Sequence, residues 1–275
     1  MTPDLKSAIR QVVPERLWSK LRVWNMRRSV AAFDPHDVTH AYDGERLKIR
    51  IADPLGRDWY DHDWHALAEI QLLAQHQLRP GAVVFDLGAH QGVVALMLAR
   101  HVVPGGKVVA VEANPHNARV ARRNVALNPG KTVVIEEAAV TERDGGTVTF
   151  NEDLNGAVDD GTGAVGHITV PAVSVDSLAR RHGAPSVLFL DVEGYEVKVL
   201  EGASAVLARR PDCFTEVHGG CGLETFGGSV PALAAFFPES AYTLHVGHQR
   251  HAEFEPYRPD HPWLRERFYL LALAR

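Results

Sequence analysis

Short apolar runs alternate with amphipathic stretches through the centre of the chain, and two more runs follow near the end. Continuous apolar runs of this length predict strands buried on both faces of a sheet, and the stretches between most of them have helical periodicity. The predicted strands are 82–87, 107–112, 132–136, 187–191, 213–217, 242–246 and 268–273. Strands that alternate with helices predict a parallel sheet with right-handed crossovers. No convincing helix joins the last two strands, which indicates an antiparallel edge.

The first 58 residues have a different pattern. Apolar residues at four- and three-residue spacing predict an amphipathic helix that Pro14 divides in two. These residues are Ile9, Val13, Leu17, Leu21 and Trp24. Between residues 31 and 58 the prolines and glycines leave one predicted strand, 47–51. We therefore expect a helical N-terminal extension or cap over residues 1–58 and one α/β domain over residues 59–275.

Composition and charge narrow the class of protein. The chain of 275 residues is 45% hydrophobic and 23% charged, as in globular proteins. Its net charge of −5 argues against general electrostatic binding of nucleic acid. No apolar run approaches the ~20 residues of a membrane span, and the start lacks the layout of a signal peptide. Two cysteines, Cys213 and Cys221, favour a reducing compartment, so we expect a cytoplasmic protein.

Charge is also uneven along the chain. Residues 1–30 hold seven basic residues against two acidic ones. With the apolar stripe of the same segment, this predicts a helix that packs on the core or on a second subunit with its arginines in solvent. A homodimer is therefore one expected assembly.

The loop after the first predicted strand, Asp86-Leu87-Gly88-Ala89-His90-Gln91-Gly92, is the sharpest motif. Glycine permits a tight turn and a close approach of ligand to backbone at the carboxyl end of a strand. Glu112 ends the next strand, where an acid suits the hydroxyls of a ribose. The carboxylate of Asp86 would repel a pyrophosphate and attract a cationic amino acid group. The pattern thus favours S-adenosylmethionine over NAD and makes a nicotinamide oxidoreductase a distant alternative.

Three blocks of sequence resemble the FkbM-type S-adenosylmethionine-dependent methyltransferases. The first is residues 84–92, the second is 111–115 continued by 123–128, and the third is 174–178 followed by 190–203, which includes Asp191-Val192-Glu193-Gly194. The stretch Glu216-Val217-His218 is also similar to the family. The resemblance covers roughly residues 65–220.

The resemblance implies a class I methyltransferase fold, a Rossmann-like sheet of seven mostly parallel strands whose last strand is antiparallel. It makes residues 59–275 the methyltransferase domain. The implied cofactor contacts lie at three strand ends and beside the crevice: Asp86, Gly88, Ala89, Gly92, Glu112, Ala113, Ala138 and Asp191. Of these, Ala138 is on the adenine side of the pocket. Two departures concern the acceptor site. Phe189 replaces a lysine that is frequent in the family, and His90-Gln91 replaces Asn-Ile.

Three residues are candidates for catalysis. Asp191 and Glu193 follow the fourth strand of the domain, where they can act as base and orienting group or hold a divalent metal. A metal would need a further ligand that the sequence does not identify, and we do not expect one. Alternatively, one of the two acids caps the next helix. His218 follows the fifth strand, and the near-neutral pKa typical of histidine fits a general base, although a structural loop histidine fits equally.

We expect an enzyme that O-methylates a hydroxyl of a sugar, glycan or secondary metabolite, with a role in natural product biosynthesis. N- or carboxyl-methylation, with a peptide among the substrates, is the alternative reaction. A non-catalytic module that binds S-adenosylmethionine is the alternative of another class. The expected partner is a small-molecule acceptor, with no nucleic acid and no membrane span.

Overall fold

The structure, a computed structural model, describes residues 15–151, 167–248 and 253–275. The strands in chain order are β1 His36–Tyr42, β2 Glu45–Ile51, β3 Val83–Leu87, β4 Lys107–Glu112, β5 Val133–Glu137, β6 Ala139–Val140, β7 Thr147–Asn151, β8 His167–Val173, β9 Val187–Leu190, β10 Asp212–His218, β11 Tyr242–His248, β12 Phe254–Pro256 and β13 Arg267–Ala274. The helices are α1 Glu15–Ala31, α2 Pro54–Tyr60, α3 Ala68–Ala74, α4 Val93–Val102, α5 Pro115–Leu127, α6 Val175–His182, α7 Glu196–Glu201, α8 Ser204–Leu207 and α9 Val230–Ala234. None of these helices has the length and apolar character needed to cross a bilayer.

The central sheet has the strand order β12-β11-β13-β10-β9-β3-β4-β5. Strands β5, β4, β3, β9 and β10 are parallel, and β13 is antiparallel to both of its neighbours. The predicted class I sheet with an antiparallel last strand is therefore confirmed. The short strand β12 adds an eighth member at the edge, and β6, β8 and β7 form a separate small sheet.

Both faces of the central sheet are buried, which explains the continuous apolar runs of its strands. Phe85 and Leu87 point into one core cluster, whereas Val84 packs into the other. Asp86 is paired in register with Phe189, and Phe189 with Phe214, so these three residues line up across adjacent strands. The Phe189 and Phe214 rings stack with their centroids 4.3 Å apart. The residue that replaces the family's lysine thus belongs to an aromatic pair on this face.

The N-terminal segment is less helical than predicted. The sequence predicts one strand in this segment, 47–51, whereas the structure has two strands, β1 and β2, which form an antiparallel hairpin. Its two-residue turn, Asp43-Gly44, has positive φ at both positions, as the hairpin turn requires. The predicted domain boundary after residue 58 falls inside α2, and the division into two domains stays a prediction.

Two residues of the apolar stripe on helix α1, Leu21 and Trp24, are exposed. Leu21 is 43% and Trp24 55% exposed, and the guanidinium of Arg28 lies 5.4 Å from the Trp24 ring. Ile9 and Val13 lie outside the described residues. Leu21 and Trp24 therefore do not pack on the core of the same chain. The predicted homodimer stays a prediction.

Buried polar contacts join the hairpin and α2 to the Gly88–Gly92 loop. Asp53 is fully buried and accepts hydrogen bonds from the Gly56 N–H at 2.7 Å and from Gln91 Nε2 at 2.6 Å. His116 Nε2 lies 2.8 Å from the same carboxylate. Asn124 donates to the carbonyl of Gln91 and accepts from the N–H of Arg50 in β2. Gln91, where isoleucine is common, is thus the residue that fastens the loop to the N-terminal segment.

Removal of the Asp53 carboxylate should unfasten this junction. We expect Asp53→Ala to lower the free energy of unfolding by about 3 kcal/mol, because it leaves buried donors without a partner. Burial alone raises the pKa of Asp53, but the hydrogen bonds from His116, Gly56 and Gln91 outweigh it and hold that pKa below its usual value. The stability from this carboxylate is therefore present above the ordinary carboxyl pKa and is lost as the pH falls through the lowered value.

Urea unfolding at neutral and acidic pH measures both effects. Asp58→Ala is the matched control, since Asp58 lies on the same helix but is 62% exposed and pairs with its neighbour Arg57. Equal unfolding midpoints for the two variants would contradict the assigned role of Asp53.

Candidate active site

The loop between β3 and α4 is shaped by a backbone contact that only glycine permits. Gly88 has a φ of +90°, and a Cβ atom there would lie 1.7 Å from the carbonyl oxygen of Asp191. The Gly88 and Ala89 N–H groups donate to the carbonyl of Val111, and the Asp191 N–H donates to that of Leu87. The carboxyl ends of β3, β4 and β9 are therefore locked together around this loop.

Glu112 holds the loop from the end of β4. Its two oxygens accept the N–H groups of His90 at 2.8 Å and Asn114 at 2.7 Å. His90 has a φ of +49°, an uncommon conformation for a residue other than glycine. Burial raises the pKa of the Glu112 carboxyl to about 7, despite these hydrogen bonds. The side chain of Asn117 supplies a third hydrogen bond, which leaves one of the four lone pairs of the carboxylate for a ligand hydroxyl.

Two connected cavities open on this loop. The first has a volume of about 70 Å³ and is lined by residues of the β4, β6 and β9 ends: Glu112, Ala113, Ala138, Ala139, Val140, Val192 and Tyr195. The second is a wider groove of about 880 Å³ with aromatic and acidic walls. They share Trp59, Gly88, His90, Asp191 and Glu193. Asp191 thus lies at the junction.

The predicted cofactor residues fall into three groups. Glu112, Ala113 and Ala138 line the first cavity, and Gly88 and Asp191 line both. Asp86 and Ala89 line the second. Gly92 lines neither cavity. It has a φ of +76° and turns the chain into α4, and a Cβ atom at this position would lie 3.1 Å from the Cβ of Ala121.

Asp86 is a buried carboxyl that is short of partners. It is 3% exposed, and its Oδ2 atom accepts no hydrogen bond within the described part of the chain. Burial raises its pKa to about 7. An unsatisfied buried carboxylate destabilises the fold, and a hydrogen-bond donor or a cation from a ligand would offset that cost.

The three predicted catalytic residues lie together. His218 Nε2 is 3.3 Å from Glu193 Oε2 and 3.6 Å from Asp191 Oδ1. Glu193 has a φ of +50°, which turns its side chain back toward the groove side of the loop. The sequence did not identify the third ligand that a metal would need beside the two acids, and the structure places His218 in that position. One atom from each side chain lies within 4.8 Å of the others.

His218 is buried behind the two acids, with 1% of its surface exposed. Its Nδ1 atom lies 2.6 Å from Oε1 of Glu196, which is itself fully buried. Burial lowers the pKa of His218, but hydrogen bonds to Glu193 and Glu196 outweigh it and raise the pKa to about 10. Arg267 also contacts Nε2 and opposes protonation there. In either charge state Nε2 has no lone pair left for a substrate, so its predicted role as base stays a prediction that this geometry does not favour.

Asp191 and Glu193 are driven in opposite directions by their surroundings. Burial, followed by the charge of Glu216, raises the pKa of Asp191 well above its ordinary value. Burial also raises the pKa of Glu193, but His218 and Arg267 more than offset it, so that pKa is lowered. The Asp191 Oδ1 atom accepts no hydrogen bond from any described residue. That atom is buried against His218, but the Asp191 side chain as a whole is 41% exposed and that of Glu193 26%, so Asp191 is the more accessible of the two acids.

Sequence reasoning missed two members of this cluster. Glu196 follows the Asp191–Gly194 motif and accepts from the N–H of Gly194 as well as from His218. Its position in the family-like block was a usable signal. Arg267, at the start of β13, had none, because it lies far along the chain and outside any motif.

The aromatic residues before β3 have two roles. Trp59 is 38% exposed and lies between the two cavities, with its ring centroid 4.9 Å from that of His90. Tyr60 is 4% exposed, and its hydroxyl lies 2.8 Å from His90 Nδ1. Trp64 lines the wider groove. Trp59 therefore lies at the entrance of the cavities, whereas Tyr60 belongs to the core.

Residues 86–260 match the model of the methyltransferase FkbM domain. The match covers more than half of the chain, so the protein belongs to this family. The matched residues include the Gly88 loop, Asp191, Glu193 and His218, which therefore lie within the methyltransferase domain.

Individual relatives match over shorter stretches. A protein of Cupriavidus metallidurans called hydroxyacylglutathione hydrolase is 36% identical over 118 residues, which is 36% of this chain and 44% of that protein. A demethylmenaquinone methyltransferase of Symbiobacterium thermophilum is 34% identical over 71 residues, 26% of this chain and 27% of that protein. The chain thus spans less than half the length of these curated relatives.

One similar solved structure is fibrillarin of Aeropyrum pernix with bound S-adenosyl-L-methionine. The TM-score is 0.46 and the identity 13%, over 89% of this chain and 86% of that chain.

The contact between Gly88 and Asp191 can be tested by adding one methyl group. We expect Gly88→Ala to destabilise the protein more than Gly130→Ala does, by a difference of about 2 kcal/mol or more, because the new Cβ collides with the backbone. Gly130 has a similar φ of +92° but nothing within 4 Å of its Cβ position, so it isolates the conformational cost. Urea unfolding compares the two, and equal losses would show that the collision is relieved elsewhere.

Proposed function

We propose that the protein is an S-adenosylmethionine-dependent methyltransferase that O-methylates a hydroxyl of a sugar, glycan or secondary metabolite. One observation carries the proposal: the cavity at the ends of β4, β6 and β9 and the wider groove meet at Asp191, whose side chain is 41% exposed. The expected cytoplasmic location and the role in natural product biosynthesis remain predictions from the sequence.

The residues of the first cavity suit this cofactor. Glu112 has a lone pair for a ribose hydroxyl, and Ala113, Ala138 and Ala139 offer a small apolar surface to an adenine. Asp86 lines the wider groove rather than this cavity, and its carboxyl suits the cationic amino group of a cofactor that reaches past Gly88 into the groove. When bound, S-adenosylmethionine supplies an electrophilic methyl group. The protein's task is then to position an acceptor oxygen and to take its proton.

The walls of the wider groove favour a polyol acceptor. Trp59, Trp64 and Tyr269 offer faces for a ring to pack on, and Glu69 and Glu216 offer oxygens for hydroxyl groups. The groove holds several acids and one arginine, Arg267, among its lining residues. Like charges would disfavour a phosphorylated or carboxylated acceptor.

Asp191 is the group we assign to proton removal from the acceptor hydroxyl. Its oxygen faces the junction of the cavities, and its raised pKa brings it closer to the operating pH of a base. Glu193, held by His218 and Arg267, orients it, and His218 supports Glu193 from behind.

The cofactor half of the proposal predicts a loss of binding in Glu112→Gln. We expect the affinity for S-adenosylhomocysteine to fall by about 10- to 100-fold, because a charged acceptor and one loop hydrogen bond are lost. Glu137→Gln is the matched control, since Glu137 ends the next strand and pairs with Arg122 at the surface. Isothermal titration measures both. Unchanged binding in Glu112→Gln would refute the ribose contact, and no binding by the unaltered protein would refute the cofactor itself.

The chemical half predicts a large effect of Asp191→Asn on hydroxyl acceptors. We expect kcat to fall by about 10²-fold or more with binding of S-adenosylhomocysteine retained. In the unaltered protein kcat/KM should fall as the pH drops through the raised pKa of Asp191, and this limb should vanish in the variant.

A panel of neutral sugars and hydroxylated metabolites, followed by mass spectrometry, provides the assay. A rise toward pH 10 that survives in Asp191→Asn and is lost in His218→Asn would identify His218 as the base instead. Turnover only on amines, with little effect of Asp191→Asn, would favour N-methylation. Cofactor binding without turnover on any acceptor would favour the binding module.

A further inference from the structure

Arg267 places a fixed positive charge inside the carboxylate cluster. Its Nη2 atom is 3.2 Å from Glu193 Oε2 and also contacts His218 Nε2. Its Nε atom lies 3.1 Å from Oε1 of Glu216 on β10. Backbone pairing fixes this position, since Arg267 stands opposite His218 in the β10–β13 register.

Apart from Arg267, the cluster contains the ligand atoms of a metal centre. Asp191, Glu193 and His218 each offer one oxygen or nitrogen atom, and these atoms lie within 4.8 Å of one another. Two carboxylates and one imidazole are a ligand set that binds divalent manganese, iron or zinc. The groove beside them would leave room for water or an acceptor oxygen.

The guanidinium occupies the place that such an ion would take. Two of the three ligand atoms, Glu193 Oε2 and His218 Nε2, are the atoms that Arg267 Nη2 contacts. A divalent cation could reach the triad only by displacing a permanent cation that also pairs with Glu216, because like charges at this distance repel.

We propose that Arg267 is the resident cation of the Asp191–Glu193–His218 triad and takes the position of a divalent metal. In this role it is a positioning residue. It holds Glu193 against His218, balances the negative charge of the acids, and leaves the partly exposed side chain of Asp191 to the acceptor. Acceptor recognition and proton removal then need no divalent ion at this place.

Binding of Mn²⁺ to protein stripped with EDTA tests the proposal without cofactor or acceptor, so its failure is separate from failure of the proposed function. We expect the unaltered protein to show no site-bound Mn²⁺ by electron paramagnetic resonance up to about 1 mM, the range of weak protein sites. Arg267→Met, which removes the charge and keeps the stem, should bind at least about tenfold more tightly, a difference of ~1.4 kcal/mol. Arg267→Met/Glu193→Gln should lose this binding.

Arg265→Met is the matched control, because Arg265 lies two residues earlier in the same segment and is exposed; it should behave as the unaltered protein. Binding of Mn²⁺ by the unaltered protein that Glu193→Gln abolishes would overturn the proposal, since the triad would then be a metal site. Absence of binding in a folded Arg267→Met, checked by circular dichroism, would overturn it as well. Should that variant not fold, Arg267→Lys replaces it: unchanged exclusion of Mn²⁺ supports the resident charge, and gained binding contradicts it.

Discussion

Carboxylates at the carboxyl edge of a buried sheet are the constraint on which this site depends. A carboxylate removed from water destabilises the fold unless donors or cations surround it. Glu112 and Glu196 are surrounded by the chain itself, through backbone N–H groups and His218. Asp86, Asp191 and Glu196 each keep one oxygen that no described residue satisfies, although the other oxygen of Glu196 is held by Gly194 and His218. Asp86 and Asp191 line the cavities, so they are the acids that a ligand can reach.

The N-terminal segment contributes to the site through buried polar contacts. Asp53, Gln91 and Asn124 connect α2, the Gly88 loop and α5, and each of the three is fully buried. Tyr60 extends the same connection to His90. The segment therefore supports the Gly88 loop from behind, while Trp59 forms part of the wall between the two cavities.

Apolar continuity was enough to predict the seven main strands along the chain, because a strand buried on both faces has few polar positions, but it did not give their order in the sheet. The hairpin was only half predicted. Strand β1, with the sequence HDVTHAY, was missed because most of its residues are polar and at least partly exposed. The Asp43-Gly44 turn that joins it to β2 was interpreted as a break in the pattern. Within the site, Asp86, Glu112 and Asp191 were predicted because a strand end precedes each. Arg267 was not, since its proximity to Glu193 arises from the insertion of β13 beside β10, which no local pattern records.

The backbones of two loops touch where β9 and β10 end. A Cβ atom on Gly194 would lie 2.5 Å from the carbonyl carbon of Gly222, so these loops are packed without any side chain between them. Glu193 precedes one glycine and His218 lies upstream of the other, which makes the acid side of the groove a single rigid unit. The aromatic side, residues 59–67, contains no glycine and is joined to the hairpin by the Trp64 N–H, which donates to the Ala41 carbonyl at 2.8 Å. Sequence variation along the acidic wall must therefore keep both glycines, because a Cβ atom at either one would crowd the loop that faces it.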